Sequence, residues 1–465
     1  MEDIMKNKHL RLLILLCILL MIFTGCTQAK TSPPDTSGSY ESVEPNHENM
    51  TLTVYLDSYT KEYMSNLIDQ FLLENPDIQV IIENYSDMII PDYRTKLAGD
   101  LMAGEGPDII LASNTTNNTV QNLTKLLQNG AFLDLNELKL DLSSCNSSVL
   151  KAGIYNEKQY LIPLNYSLGF LLTTQERLEK YNIQPTQDLA TFAASLETVY
   201  QAGDNAFLDI FTIEFLYRQN GLNLIDYKNN SLFHSENDMD TLRKISMAYT
   251  DLFPSVFEAN TMKHYQFVNR LSDYNYSVEE AFLSEDLVFF SAPAFMGAYE
   301  NLRFTNSICA RILEMGQTPV LFTMPTIEGQ CVSPCVNYFL LANGDTENKE
   351  AVKRFIDTAL SLTSQYSVSS QFGIPVNNEV IEIMRDFYAD GIVHEQYTFT
   401  DKCTFPFQIT DSYFGAIDNM TDGVYIDVMS CGKLFSILRE YATNGSDIEN
   451  AYAIGKQQLE LYLTE

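Results

Sequence analysis

Apolar residues recur along this chain with two alternating periods. Thr51–Leu56 (TLTVYL) is a β-branched and aromatic run, the mark of a strand. Glu62–Glu74 then places Met64, Leu67, Ile68, Phe71 and Leu72 at helical spacing. Asn75-Pro76-Asp77 stops that helix, and Ile78–Ile82 is the next strand. Asp92–Ala103 is helical and closes at Gly104, and Gly106-Pro107 turns the chain into a third strand, Asp108–Leu111. Thr119–Gln128 is helical, with Gly130 as its stop. Further on, Leu168–Leu172, Leu287–Phe290, Val320–Met324 and Asn337–Leu341 read as strands. Gln175–Tyr181, Leu189–Tyr200, Asp238–Leu252, Glu347–Thr363 and Ile448–Leu463 read as helices. Strands alternating with helices predict an α/β fold built on mixed, mostly parallel sheets flanked by helices.

The first residues have a different pattern. Lys6, Lys8 and Arg11 precede an apolar run from Leu12 to Phe23. That is a secretory signal, and it is shorter than the roughly 20 residues of a membrane span. Thr24-Gly25-Cys26 resembles the bacterial lipobox, in which the Cys receives diacylglycerol. The expectation is a signal peptide over 1–25, lipidation at Cys26 and a flexible tether over 26–49, rich in Ser, Thr, Pro and Glu. Two acyl chains on one Cys suffice for stable anchoring, so the body belongs on the outer face of the cell membrane.

Composition narrows the function classes. The chain has 465 residues, 45% of them hydrophobic, enough for a large core and two or three domains. With 61 acidic against 29 basic residues the net charge is −32. That balance argues against a nucleic-acid partner and against electrostatic attachment to anionic lipid. Outside Cys17 and Cys26 the cysteines are Cys145, Cys309, Cys331, Cys335, Cys403 and Cys431. Export permits disulfides, and both free thiols and bridges stay open. Cys331 and Cys335 lack the second ligand pair of a zinc site, and His234, His264 and His394 are scattered, so no metal or other cofactor is expected. There is no Gly-x-Ser-x-Gly, His-Glu-x-x-His or Gly-x-x-x-x-Gly-Lys-Ser/Thr, and no catalytic residue is assigned. An exported hydrolase using two carboxylates is the competing class, and the many acids do not discriminate it.

The ordered set Phe71-Leu-Leu-Glu-Asn-Pro76-Asp77-Ile-Gln-Val80, Tyr93-Arg-Thr-Lys-Leu97, Gly104-Glu-Gly-Pro107-Asp108-Ile109, Tyr160-Leu-Ile-Pro163, Pro325–Phe355 and Gly445–Leu463 resembles extracellular solute-binding proteins of family 1. These are the substrate-binding lipoproteins of ATP-driven importers, of the maltose-binding type. The resemblance implies a two-lobed, type II periplasmic-binding-protein fold with a hinge. Lobe one would be 50–163 plus 325–375, and lobe two 164–324 plus 376–465. It implies a monomer that carries a small-molecule solute, an oligosaccharide in the first reading, to a membrane permease. A non-sugar polar solute, or a sensor role without transport, is the alternative.

Open α/β sheets bind ligands beyond the carboxyl ends of their strands. The candidate contacts are therefore Asp57 and Tyr59 after the first strand, Asn84 and Tyr85 after the second, and Ser113 and Asn114 after the third. Asn165 and Tyr166 follow Pro163 at the first crossing between lobes. Amides and hydroxyls there would hydrogen-bond a polar solute, and Tyr rings would stack on sugar faces. Each could equally be a turn, capping or rim residue. Ser291-Ala-Pro293 is followed by Ala294 where the family often has Trp, and the chain has no Trp at all. Phe295, Tyr299 or Tyr413 would have to supply that ring.

Overall fold

The computed structural model describes residues 50–114, 119–185, 188–206, 213–226, 231–232, 236–252, 278–284, 287–291, 308–329, 331–368, 372–389, 407–427, 431–438 and 448–464. The signal, the tether and Cys26 lie outside these, as do His234, His264, His394 and Cys403. The strands used below are β1 (Met50–Leu56), β2 (Ile78–Asn84), β3 (Ile109–Ser113), β4 (Ile162–Ser167), β5 (Phe170–Thr174), β6 (Phe290–Ser291), β7 (Pro319–Thr323), β8 (Cys335–Ala342) and β9 (Ile374–Pro375). The helices used below are α1 (Lys61–Glu74), α2 (Ile90–Met102), α3 (Leu123–Gln128), α4 (Gln175–Tyr181), α5 (Leu189–Ser195), α6 (Ile213–Gln219), α7 (Glu236–Leu252), α8 (Lys349–Leu360), α9 (Asn378–Ala389), α10 (Phe407–Asp418) and α11 (Ile448–Thr464).

Local chemistry sets most of these boundaries. Helix α1 buries Tyr63, Met64, Leu67, Ile68 and Phe71, one stripe at helical spacing. Asn75 ends it by donating from its side chain to the Phe71 carbonyl at 3.0 Å, and Pro76 cannot continue the helix. Thr174 caps α4 through Arg177 N (3.2 Å), and Asp188 caps α5 through Thr191 N (3.0 Å). The helix read over Thr119–Gln128 begins only at Leu123, because Asn122 sits in the left-handed region with φ 56°. The helix read over Glu347–Thr363 stops at Leu360, where Ser361 turns extended and caps a second short helix through Ser364 N.

Six strands form one sheet in the order β9-β4-β8-β3-β1-β2, and three form another in the order β6-β5-β7. The first sheet is mixed, but the expected parallel majority is corrected. Strand β1 pairs parallel with β2 and β3, whereas β8 runs antiparallel to both β3 and β4, and β9 antiparallel to β4. In the second sheet β5 pairs antiparallel with both neighbours. The physical reason is connectivity. Helical crossovers make parallel neighbours, and β8 instead arrives from the second sheet, so nothing compels it to run parallel.

The chain passes between the sheets from β4 to β5 and again from β7 to β8. Gly169 lies in the first passage, where a Cβ would come within 2.6 Å of the Phe215 ring and of Gln219 Oε1. Its carbonyl accepts from Met324 N at 2.7 Å, which joins the two passages. Helix α10 packs on β7, with Tyr413 stacked on Phe170 at 5.0 Å. Residues 421–427 then run back toward 122–155. Asp427 accepts from Thr124 N (3.1 Å) and Thr124 Oγ1 (2.7 Å), and Ser148 donates to Asp422 (3.0 Å). Cys145, Cys331, Cys335 and Cys431 carry free thiols, and burial pushes Cys145 up to about 11.

Asp108 ties the first sheet to α8. Its buried carboxylate accepts from Thr53 N (2.7 Å), from Thr346 Oγ1 and from Asn348 Nδ2 (3.2 Å). Removing it leaves several enclosed donors without an acceptor. Asp108→Ala is expected to lower unfolding free energy by about 3 kcal/mol or more. Urea denaturation checks this, and an unchanged midpoint would show that the donors find other partners.

Candidate functional site

The carboxyl ends of β1 and β3 lie at the same end of the first sheet as the start of β8 and the end of β4, through the pairs Tyr338–Ser113 and Tyr338–Asn165. Asp57 follows β1. Its Oδ1 accepts from Tyr59 N (2.7 Å) and Thr60 N (3.0 Å), and Oδ2 accepts from Thr60 Oγ1. The carboxylate thus shapes the turn into α1 and is enclosed. Tyr59 projects from that turn, 47% exposed. Arg94 on α2 stands close by; burial pushes its guanidinium down, opposed by the charges of Tyr59 and Asp57.

Three aromatic rings floor this end of the sheet. Tyr63 stacks on Phe372 at 4.3 Å with an interplanar angle of 4°. Tyr338 meets both edge-on, at 5.2 and 5.8 Å. Tyr63 is buried, while Phe372 and Tyr338 are half-buried. Burial raises the Tyr338 phenol above its ordinary value, and the Asp57 charge adds to the shift. Amides surround the rings. Asn165 Nδ2 donates to Tyr63 Oη (3.3 Å), Ser167 Oγ to Asn337 Oδ1 (3.0 Å), and Asn337 Nδ2 to the Phe372 carbonyl (3.3 Å). Asn114 N donates to the Asn337 carbonyl at 2.7 Å, while Asn114 Oδ1 is buried without a partner.

The structure therefore brings together Asp57, Tyr59, Ser113, Asn114 and Asn165. Asn84 and Tyr85 lie at the end of the edge strand β2, where Asn84 pairs with Leu56 and Tyr85 N donates to the Leu56 carbonyl (2.8 Å). Asn84 Oδ1 accepts from Ser86 N (3.0 Å), and Tyr85 donates to Glu83 and packs edge-on to Tyr55 at 5.0 Å under Lys96. Tyr166 is fully enclosed, its hydroxyl without a partner and its phenol pushed up by burial and then by the Asp418 charge. Tyr413 is buried against Phe170, toward the second sheet. Phe295 and Tyr299 lie outside the described residues. The pattern reading missed Tyr63, Arg94, Asn337, Tyr338 and Phe372. Tyr63 looks like core on a helical wheel, and only the pairing of β8 with β3 and β4 brings Tyr338 beside it.

The profile of the bacterial extracellular solute-binding protein family matches residues 66–393. No curated protein sequence matches the chain. Among solved structures, a family 1 extracellular solute-binding protein from Alicyclobacillus acidocaldarius is similar at 15% identity and TM-score 0.55, over 90% of this chain and 98% of that one. An ABC substrate-binding protein from Listeria monocytogenes in complex with cycloalternan has 15% identity and TM-score 0.53, over 90% and 100%. The sugar-binding protein MalE from Xanthomonas citri has 12% identity and TM-score 0.61, over 89% and 97%. The fold is thus the two-lobed one of the periplasmic binding proteins.

The enclosure of Tyr166 separates a packing role from a rim role. Tyr166→Ala is expected to cost about 3–5 kcal/mol of stability, whereas Tyr166→Phe removes only an unpartnered hydroxyl and should leave stability equal or higher. Tyr59→Ala should leave the melting temperature unchanged. A Tyr166→Ala protein as stable as the wild type would overturn this placement.

Proposed function

Because the chain belongs to the bacterial extracellular solute-binding proteins, we propose that it captures an oligosaccharide between its lobes and delivers it to the permease of an ATP-driven importer. The observation that carries this reading is the ring cluster Tyr63, Tyr338 and Phe372, edged by the amides of Asn114, Asn165 and Asn337. Half-buried aromatic residues beside amides are the chemistry that holds a sugar, apolar on its faces and polar at its rim. Tyr338 and Phe372 then take the part of the absent Trp.

We read 50–163 with 325–375 as lobe one, 164–324 with 376–465 as lobe two, and the passages between β4 and β5 and between β7 and β8 as the hinge. Closure about such passages is a hinge motion around the solute. We assign lipidation to Cys26, which would hold the protein at the outer face of the membrane beside its permease. The names of relatives that bind glycans support an oligosaccharide, and the family supports no catalytic step.

A dye-based thermal shift of the full chain in detergent, against glycans, monosaccharides, amino acids and polyamines, tests the capture. A solute at 100 times its dissociation constant should add about 2.7 kcal/mol of stability. Shifts with amino acids or polyamines alone would overturn the sugar assignment, and no shift from a folded sample would overturn capture of these solutes. Anchoring is tested separately. Cells fed an alkyne fatty acid should label the wild-type protein and leave Cys26→Ser unlabelled; an unlabelled wild type would remove the lipid anchor.

A further inference from the structure

Arg218 lies in the last turn of α6 and is only 7% exposed. Among the described residues its guanidinium meets one acceptor, the Val336 carbonyl on β8, and makes no ion pair. A guanidinium has five N–H donors. The other nitrogens of Arg218 are not among the buried unpartnered atoms, so they reach solvent and stay available to a bound group. The side chain lines a small pocket between α6, the end of β3, the start of β8 and residues 424–426. No Asp or Glu is among the lining residues. Burial holds the Tyr425 phenol and the neighbouring Cys335 thiol in their neutral forms. Arg218 is thus the one charge facing the pocket among the described residues.

A second group in the same pocket is unanswered. Asn114 is likewise 7% exposed, and its Oδ1 has no hydrogen-bond partner. Arg218 adjoins the β7–β8 passage, and Asn114 follows β3, its N–H donating to the Asn337 carbonyl of β8. Gln219, next to Arg218, donates to the Met324 carbonyl and accepts from Ser333 N, one in each half of the β7–β8 passage. The cavity of about 10 Å³ holds one water-sized group and is partly open, so one carboxylate oxygen can enter while the rest of the solute stays at its mouth.

We propose that Arg218 and Asn114 form an acid subsite of the cleft, in which Arg218 takes the carboxylate of the solute and Asn114 Oδ1 takes a hydroxyl beside it. The captured solute is then a hydroxylated acid, the chemistry shared by uronate-bearing glycans and free hydroxy acids. This inference rests on the solute-capture reading and narrows it.

The test compares galacturonate, trigalacturonate and malate with galactose, maltotriose and the neutral methyl ester of galacturonate. Calorimetry and thermal shift on the full chain in detergent give the affinities. At least one acid is expected to bind, with its neutral counterpart weaker by about tenfold or more. Arg218→Gln should lose about as much for the acid, and Arg218→Lys less. Should Arg218→Gln fail to fold, the acid-against-ester comparison on the wild-type chain decides alone. Malate binding without uronate binding would uphold the subsite and overturn the sugar assignment. Maltotriose or galactose binding, unaffected by Arg218→Gln, would overturn the subsite and leave solute capture standing. Silence toward all the probes, neutral and acidic, would overturn the subsite; capture itself falls only if the wider panel is silent too.

Discussion

The constraint on which the rest depends is the insertion of β8 between β3 and β4. The first sheet is complete only after the chain has left it, built the second sheet and returned. Tyr338 then pairs across to both Ser113 and Asn165, which lie far from it in sequence. Closing so long a loop adds little entropy beyond a shorter one, because the cost grows only with the logarithm of length. Its effect is on kinetics, since distant strands must meet before any of these contacts stabilises the sheet.

Most polar groups at this end of the sheet already have partners inside the protein. Asp57 shapes a turn, Asn165 holds Tyr63, and Asn337 joins Ser167 to the Phe372 carbonyl. Buried polar groups are ordinarily satisfied in this way. The informative groups are the ones left over. Asn114, whose Oδ1 has no partner, and Arg218 line one pocket, while the half-buried residues Tyr338 and Phe372 lie along the same strand end. A candidate site therefore emerges from the shortfall of internal partners rather than from the count of polar residues.

Signals carried by neighbouring residues were legible in the sequence. Asn75-Pro76 ends α1 by a side-chain bond and a missing N–H, and Asp77 receives Arg354 from α8 at 2.7 Å. The apolar stripe of α8 is buried as its spacing implies, with Phe355 against Phe71 at 5.2 Å. What was not legible depends on partners distant in sequence. Tyr166 follows a crossing and looked accessible, but every residue of β4 is buried, because this strand is covered on both faces. Period-two alternation says nothing about exposure in such a strand. Helices α6 and α10 were not read at all, and α6 carries the residue that meets both passages. The antiparallel entry of β8 likewise follows from connectivity, which no local pattern encodes.

The net charge of −32 bears on the solute less than it first suggests. Surface charges separated from a site by more than about 8 Å are largely screened at physiological ionic strength. A guanidinium enclosed at 7% exposure is screened far less, so it dominates the potential that a bound group meets. An acidic surface and a cationic pocket are therefore compatible, the first governing solubility and encounter, the second selection. The same guanidinium holds the Val336 carbonyl, on the strand that enters the first sheet from the second. A single neutral hydrogen bond of that kind contributes about 1 kcal/mol. A carboxylate competing for those donors would act on the strand that joins the sheets, so capture and hinge closure would share one side chain.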